Sequence, residues 1–316
     1  MKLINFVASL LLAVFIVSCS SEKKLPSGWR HSDDVYIAID ETFQPIMDEE
    51  LKTFCLLHIE AHPKPTYCSE DSAIRMLLMD SIRSCVVTRE LSEKEKDYIK
   101  SRSLGISWAL IATDALALIT NKENPHELIT VDEIKGIVTG KITRWEQLRN
   151  SARKGKLSLV FDHSGSSTVR YMRDSLCGGE ALQGNLYAQG TNQAVIEAVK
   201  NDPSLIGVVG TNWLKGKDQQ VITDFSDSDV FVMKVSKDKD EDPVGFRPYQ
   251  YRIATGDYPL LRSVYVMHTD PRRDSNVALF YFFLKGQKGQ TIICNGSQLL
   301  PITPVQVKAV SITDKK

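Results

Sequence analysis

Small hydroxyl side chains are concentrated in one short stretch of the sequence, LVFDHSGSSTVRYM, at residues 159–172. Its apolar start predicts a buried strand, and the apolar spacing that follows predicts a helix. Ser166, Ser167 and Thr168 stand where that helix begins, a position whose free N–H groups bind anions. Asp162 lies at the mouth of this loop, and its negative charge opposes an anion site. Simple helix capping by the same hydroxyl residues is the alternative interpretation.

Other sequence patterns that indicate catalysis or metal binding are missing. There is no G-x-S-x-G elbow, no Walker loop and no H-E-x-x-H pair. His163 beside Asp162 is half of a metal site, but a single histidine is more typical of an ordinary loop. We therefore predict that the protein is not an enzyme and that it has no cofactor and no metal.

The composition is that of an ordinary globular protein. Of the 316 residues, 42% are hydrophobic and 25% are charged, and the 39 Lys and Arg balance the 39 Asp and Glu. This balance gives no indication of a nucleic-acid partner. The length suits two lobes or one large α/β unit.

The N-terminus carries a targeting signal. Lys2 precedes an apolar run from Leu10 to Val17, which is too short for a permanent membrane span but typical of a secretory signal. The segment ending at Cys19 resembles the bacterial lipoprotein signal, in which small residues precede an acylated cysteine. We predict a signal peptide at residues 1–18 and a lipidated tether at residues 19–32. The protein would then be anchored in the bacterial cell envelope and face the periplasm or the outside. An ordinary signal peptide with a chance cysteine is the alternative, and the membrane that holds the anchor stays open.

Five further cysteines are spaced irregularly, so they form no recognisable disulfide framework. Cys85 and Cys294 lie in apolar runs and are predicted to be buried thiols. Cys55 and Cys68 could pair in an oxidising compartment, and the sequence does not decide this.

Alternating strand and helix patterns predict an α/β fold with largely parallel sheets. Capping boxes at Ser92–Glu95 and Thr130–Glu133 predict two helix starts. Apolar runs predict strands at Val35–Ile39, Cys85–Val87, Leu157–Phe161, Ile206–Val209, Val230–Val235 and Ser263–Met267, and two more apolar stretches at Ile106–Ala112 and Ala115–Ile119.

Three segments together resemble one family, the phosphate-binding-protein-like solute receptors of ABC importers. Residues 113–148 contain Asn124-Pro125, the turn Gly-Lys-Ile at 140–142 and Trp145 in the order typical of that family. VIEAVKNDPSLIGVVG at 195–210 and YPLLRSVYV at 258–266 are similar to two of its other segments. The similarity runs from about residue 35 to residue 305.

The resemblance implies a type II-like periplasmic-binding-protein fold with two lobes, each a mixed, mostly parallel sheet with flanking helices. Lobe 1 would comprise residues 33–113 and 245–316, and lobe 2 residues 114–244. A hinge would close the lobes on a small-molecule ligand. The partners implied are a phosphate or a related oxyanion, an ABC permease, and the membrane through the lipid anchor, with the protein itself a monomer.

Four loops align with the family's ligand-binding loops, and the resemblance places the ligand-binding residues in them. They are Thr42 and Phe43 in the first loop, Asp71 and Ser72 in the second, Thr88 and Arg89 in the third, and Asp162, Ser166, Ser167 and Thr168 in the fourth. In the fourth loop Asp162 stands in place of the family's phosphate-clamping arginine.

Carboxylates recur in three of these loops, at Asp40, Glu41, Glu70, Asp71 and Asp162. A carboxylate close to phosphate costs about 1 kcal/mol in water and several times more near a protein surface. The acids could cap helices and point outward, could accept a hydrogen bond from a protonated oxyanion, or could be offset by Arg89, Arg170 or Arg173. If they instead prevent phosphate binding, the protein is a sensor or interaction lipoprotein derived from the family, or it binds a non-anionic solute.

Overall fold

The computed structural model describes residues 34–214, 224–238, 240 and 242–304. The predicted signal peptide, Cys19 and the tether up to residue 32 lie outside the described residues. No helix in these ranges is both long enough and apolar enough to cross a membrane.

The described residues form twelve strands and nine α-helices. The strands are β1 (Asp34–Asp40), β2 (His62–Cys68), β3 (Ser84–Val87), β4 (Ser107–Thr120), β5 (Leu128–Thr130), β6 (Ser158–Phe161), β7 (Leu186–Ala188), β8 (Leu205–Gly210), β9 (Phe231–Val232), β10 (Lys234–Ser236), β11 (Leu261–His268) and β12 (Leu300–Pro301).

The helices alternate with these strands. They are α1 (Gln44–Leu57), α2 (Glu70–Leu78), α3 (Glu93–Ser101), α4 (Val131–Val138), α5 (Ser167–Arg170), α6 (Asn192–Asn201), α7 (Gln250–Ala254), α8 (Asn276–Lys285) and α9 (Gln287–Gly296). Helix α5 continues as a π-helical turn over Tyr171–Leu176, and short 3-10 turns occur at Glu41–Phe43 and Thr211–Trp213.

The main sheet is mixed, with the strand order β2-β1-β3-β11-β4-β8-β6-β7. Strand β1 is parallel to β2 and β3, and β6 is parallel to β7 and β8. Strands β11 and β4 are antiparallel to their neighbours. The mixed α/β architecture predicted from the sequence is confirmed.

Strand β4 joins the two halves of the sheet. Its residues from Ser107 to Ala115 pair with β11, and those from Leu116 to Ile119 pair with β8. We call the half with β1, β2, β3 and β11 the first lobe, and the half with β6, β7 and β8 the second lobe. The two apolar stretches at 106–112 and 115–119 are therefore parts of one fourteen-residue strand.

Each lobe has its own apolar core. In the first lobe Phe54 of α1 packs edge-on against Phe280 of α8, with ring centroids 5.1 Å apart. In the second lobe Trp145 is fully buried. Its indole Nε1 donates a hydrogen bond to the carbonyl of Ser204 at 3.1 Å. This bond satisfies the only polar atom of a large buried side chain, so the core suffers no desolvation penalty there.

Both predicted capping boxes are confirmed. Ser92 and Thr130 each accept a hydrogen bond from the backbone N–H three residues ahead, and the glutamates at those positions bond back. Strand β2 is not predicted, because its sequence HPKPTYC is polar and contains two prolines. It lies at the edge of the sheet, where a missing N–H donor is tolerated.

Two further predictions need correction. The strand predicted at Val230–Val235 is divided into β9 and β10, which join different sheets, because β9 pairs with β4 and β10 with β5. Cys294 is only half-buried, since it lies on α9 near the surface, whereas Cys85 is fully buried as predicted. Cys55 and Cys68 are both free thiols.

Candidate functional site

The first predicted loop begins where β1 ends. Asp40 is fully buried, and one of its oxygens accepts a hydrogen bond from the N–H of Thr42 at 3.0 Å. Burial raises the pKa of Asp40 to about 6, although the nearby Arg262 guanidinium partly opposes this shift. Thr42 and Phe43 are buried as well, in the 3-10 turn that leads into α1. A carboxyl group that changes charge between pH 5 and 7 therefore lies beside two predicted ligand-binding residues.

The fourth predicted loop meets the first. The hydroxyl of Ser166 accepts a hydrogen bond from the N–H of Val169 and caps α5. Ser167 and Thr168 follow, both fully buried. The hydroxyls of Ser167 and Thr42 lie 3.4 Å apart, although 125 residues separate them. The structure thus brings these two loops together between the lobes.

Arg262 of β11 contacts both loops, and it is not among the site residues predicted from the sequence. Its Nη1 donates to the Ser167 hydroxyl at 2.8 Å, and its Nε donates to Asp114 at 2.9 Å. Its guanidinium lies over the ring of Phe43, 5.3 Å from the centroid. The remaining Nη2 is buried and has no hydrogen-bond partner among the described residues. A buried cationic donor therefore remains available at the centre of the site.

The segment after β8 holds the first loop in place. The side chains of Asn212 and Trp213 both donate to the carbonyl of Thr42, each at 2.8 Å. Gly210 lies so close that a Cβ atom there would stand 2.6 Å from the Thr42 methyl group and 3.4 Å from Arg262 Nη2. The close packing between lobes at this point requires a residue without a side chain.

Glu70 and Arg170 connect the second and third loops to the fourth. Glu70, at the first turn of α2, is buried and accepts hydrogen bonds from the N–H and the hydroxyl of Thr88 at 2.7 and 2.6 Å. Arg170 of α5 forms an ion pair with the Glu70 carboxylate and donates to the Thr88 hydroxyl at 2.7 Å. This ion pair links the lobes. Of the three arginines considered from the sequence, Arg170 is the one that reaches across.

Three predicted site residues are used differently. Asp71 is exposed on α2, and the N–H of Ser72 donates to the Ser69 hydroxyl that caps the same helix. Arg89 forms two hydrogen bonds with Glu95, at 2.8 and 2.9 Å. Ser72 and Arg89 thus bond to other residues of the first lobe, and no contact joins Asp71, Ser72 or Arg89 to Arg262 or Ser167 among the described residues.

Asp162 does not point outward, as a helix cap would. It is fully buried, which raises its pKa, and one carboxylate oxygen accepts a hydrogen bond from Asn192 at 3.3 Å. The neighbouring His163 reaches the first lobe, with its Nε2 2.9 Å from an oxygen of Glu41. The Glu41 carboxylate raises the pKa of His163. These residues form a second contact between the lobes, beside the first.

The sequence contains a signal for two residues of the site that were not predicted, Asp114 and Arg262. Asp114 and Arg262 are charged residues inside otherwise apolar strands, IATDALALI and LLRSVYV. A charge in a buried strand requires a partner of opposite sign, so the two could have been matched. The sequence gives no corresponding signal for Arg170, because an arginine on a short helix is usually solvated.

A profile described as the PBP superfamily domain matches residues 27–284, which is most of the chain. The chain belongs to the PBP superfamily. Among curated proteins, it is 22% identical to the phosphate-binding protein PstS of Borreliella burgdorferi, over 82% of this chain and 87% of that protein. The predicted resemblance to the phosphate-binding receptors is confirmed.

Solved structures share the two-lobed fold. One is a candidate phosphate ABC transporter substrate-binding protein of Clostridium perfringens, with a TM-score of 0.68 and 20% identity, covering 85% of this chain and 100% of that chain. Another is an ABC-type phosphate transport receptor of Vibrio cholerae, with a TM-score of 0.61 and 21% identity, covering 85% and 100%. The prediction that the protein is not an enzyme agrees with these comparisons, because the relatives are named as binding proteins of transport systems.

Proposed function

We propose that this protein binds phosphate or a related oxyanion between its two lobes and delivers it to an ABC permease. Its relatives of similar sequence and fold carry the names of phosphate-binding proteins. We further propose that residues 33–113 and 245–316 form the lobe 1 unit and residues 114–244 the lobe 2 unit. The change of partner along β4 between Ala115 and Leu116, two residues after the first boundary, supports the division at that point.

The observation that carries the proposal is a pair of buried donors without partners. Neither Arg262 Nη2 nor the Thr168 hydroxyl has a hydrogen-bond partner among the described residues. Leaving a buried polar group unpaired costs about 1–3 kcal/mol, and more for a charged group. An oxyanion would satisfy both donors at once, and its charge would complement the guanidinium.

The surroundings suit a protonated oxyanion. Ser167 and Thr168 stand at the N-terminus of α5, where free N–H groups and the helix dipole favour negative charge. One carboxylate oxygen of Asp40 is buried and has no hydrogen-bond partner within the described ranges. It would accept a hydrogen bond from a P–O–H group, which a fully deprotonated or non-hydroxylated anion lacks. We therefore expect hydrogen phosphate to bind more tightly than sulfate.

The test is isothermal titration calorimetry of the purified protein with phosphate and with sulfate. Thr168→Val removes one unpaired donor while preserving side-chain shape, and we expect it to weaken phosphate binding by about tenfold, equivalent to about 1.4 kcal/mol. Thr66→Val is the matched control, because Thr66 is exposed on the edge strand β2. Absence of heat at millimolar phosphate would contradict the proposal.

A second function is favoured by one observation. The Glu70 carboxylate already accepts a hydrogen bond from the N–H of Thr88 and forms an ion pair with Arg170. An incoming anion would otherwise bind to these two groups. A protein of this kind could have lost solute binding and act as a sensor or interaction lipoprotein, or it could take a non-anionic solute. Under the sensor hypothesis Asp162→Ala leaves solute binding unchanged, and a protein partner co-purifies with the chain.

We propose, finally, that the protein is lipidated at Cys19 and held on the extracytoplasmic side of a bacterial membrane. The apolar run before Cys19 and its small neighbours support this. Cys19→Ala should move the protein from the membrane fraction to the soluble extracytoplasmic fraction. Retention of the variant in the membrane would contradict lipidation at this residue.

A further inference from the structure

A cluster of potential metal ligands lies where the loop after β1 meets the loop after β6. Glu41, Asp162 and His163 each offer one ligand atom, a carboxylate oxygen or a ring nitrogen, and these atoms lie within 4.8 Å of one another. Glu41 belongs to the first lobe, and Asp162 and His163 belong to the second. We propose that these three residues bind a divalent transition-metal ion between the lobes.

The hydrogen bonding of the cluster supports this assignment. Asp162 is fully buried, yet its Oδ1 has no hydrogen-bond partner among the described residues. Glu41 Oε1 is likewise buried, and the polar atom that faces it is His163 Nε2, at 2.9 Å. An ion pair between His163 and Glu41 alone would leave the Asp162 oxygen unsatisfied in the interior. A cation shared by all three side chains would satisfy both oxygens.

The charge balance of the site points the same way. Arg262 is paired with Asp114, and Arg170 is paired with Glu70. Among the described residues, Glu41 and Asp162 form no ion pair with a lysine or an arginine, and the ring nitrogen of His163 lies 2.9 Å from Glu41. Two neighbouring carboxyl groups beside one imidazole form a cluster with more acidic than basic groups, and a divalent cation would offset the charge of the carboxylates.

The types of donor identify the class of metal. An imidazole nitrogen together with carboxylate oxygens suits zinc and neighbouring transition metals, whereas magnesium and calcium prefer oxygen ligands only. Three protein ligands leave a further coordination position for water or a solute oxygen, as in open zinc sites. Asn192 holds the other oxygen of Asp162 at 3.3 Å, and such support from outside the first layer of ligands is typical of metal sites.

The test is titration of the purified, untagged protein with Zn²⁺ in phosphate-free buffer, followed by calorimetry. We expect one Zn²⁺ per chain. His163→Gln and Glu41→Gln, one from each lobe, should each weaken binding more than about 100-fold, because loss of an outer partner alone costs about 10- to 100-fold. His62→Gln is the matched control, since His62 is exposed on β2.

Co²⁺ provides a second measurement that a purely structural effect would not reproduce. Bound Co²⁺ should give a visible absorption band that is lost in His163→Gln while circular dichroism of the variant stays native. The proposal is overturned if Zn²⁺ does not bind, or if His163→Gln and His62→Gln reduce binding equally. Metal binding is tested independently of the proposed oxyanion binding, because the Zn²⁺ and Co²⁺ titrations contain no phosphate. If either proposal fails, the other can still be measured.

Discussion

Arg262 and Asp114 face each other as register partners on the antiparallel strands β11 and β4. The Nε atom of Arg262 lies 2.9 Å from an oxygen of Asp114, and both side chains are almost completely buried. Asp114 also accepts a hydrogen bond from the Thr211 hydroxyl at 3.0 Å. The pair therefore fixes the guanidinium at the strand that both lobes share, with Nη1 and Nη2 directed to the candidate site.

The first prediction concerns this buried pair. Arg262→Met leaves Asp114 as an uncompensated buried charge, and we expect the free energy of unfolding to fall by about 3–5 kcal/mol. The double variant Arg262→Met with Asp114→Asn should recover a substantial part of that loss, because it contains no buried charge without a partner. Urea unfolding of the two single variants and the double variant measures the coupling. Additive losses would show that the two side chains do not interact.

A surface pair supplies the control for that cycle. Lys100 and Asp97 form an ion pair whose side chains are 72% and 74% exposed. Because solvent screens this pair, Lys100→Met should cost about 1 kcal/mol or less.

The second prediction concerns Glu70. Glu70→Gln removes the negative charge that occupies Arg170 and Thr88 but keeps an oxygen that accepts from Thr88. We expect phosphate affinity to rise by about tenfold, because a like charge near the anion is removed and Arg170 becomes available to it. Calorimetry on the wild type and the variant measures this change.

Glu90→Gln is the matched control, since Glu90 is exposed two residues after Thr88. An unchanged or lower affinity in Glu70→Gln would show that Glu70 does not compete with the anion.

The third prediction concerns Glu50, a buried acid on α1. Neither of its carboxylate oxygens has a hydrogen-bond partner among the described residues, and burial raises its pKa from 4.5 to about 9. Because the pKa of Glu50 is higher in the folded than in the unfolded protein, ionisation of Glu50 does not lower the free energy of unfolding below pH 4.5. As the pH rises from 4.5 towards 9, that free energy falls by about 1.4 kcal/mol per pH unit.

Glu50→Met should therefore raise the free energy of unfolding, by an amount that is larger at pH 8 than at pH 5. Urea unfolding at the two pH values tests this. Glu49→Met, on the exposed face of the same helix, should show no such growth with pH. A pH-independent difference for Glu50→Met would contradict the raised pKa.

The fourth prediction concerns Gly210. Alanine at this position would clash with the methyl group of Thr42, at 2.6 Å, and would crowd the amide nitrogen of Asn212, at 3.2 Å. We expect Gly210→Ala to lower stability by about 1–3 kcal/mol, as overpacking does, and to weaken phosphate binding. Thermal unfolding and calorimetry measure the two effects.

Gly105→Ala is the control for that substitution, because a Cβ atom there meets nothing within 4 Å. If the two alanine variants behave alike, the close approach between Gly210 and Thr42 is not important for the protein.

Local features of this protein were determined by the sequence itself. The capping boxes at Ser92 and Thr130 and the buried strand runs depend on residues within a few positions, so their patterns can be read directly. The loop containing Ser167 could be identified for the same reason, because hydroxyl residues at a helix start form a local signal, whereas the loop containing Thr42 was identified through the family resemblance. The family resemblance extended this local information to the fold class.

Only the tertiary structure decided which of these groups meet. Arg262 and Asp114 are 148 residues apart, and Arg170 and Glu70 are 100 apart, so sheet order and lobe packing bring them together. The same packing buries Asp162 and sets His163 against Glu41. A charge is acceptable in the interior only beside a partner. The identity of that partner depends on burial and topology, which short-range patterns do not contain.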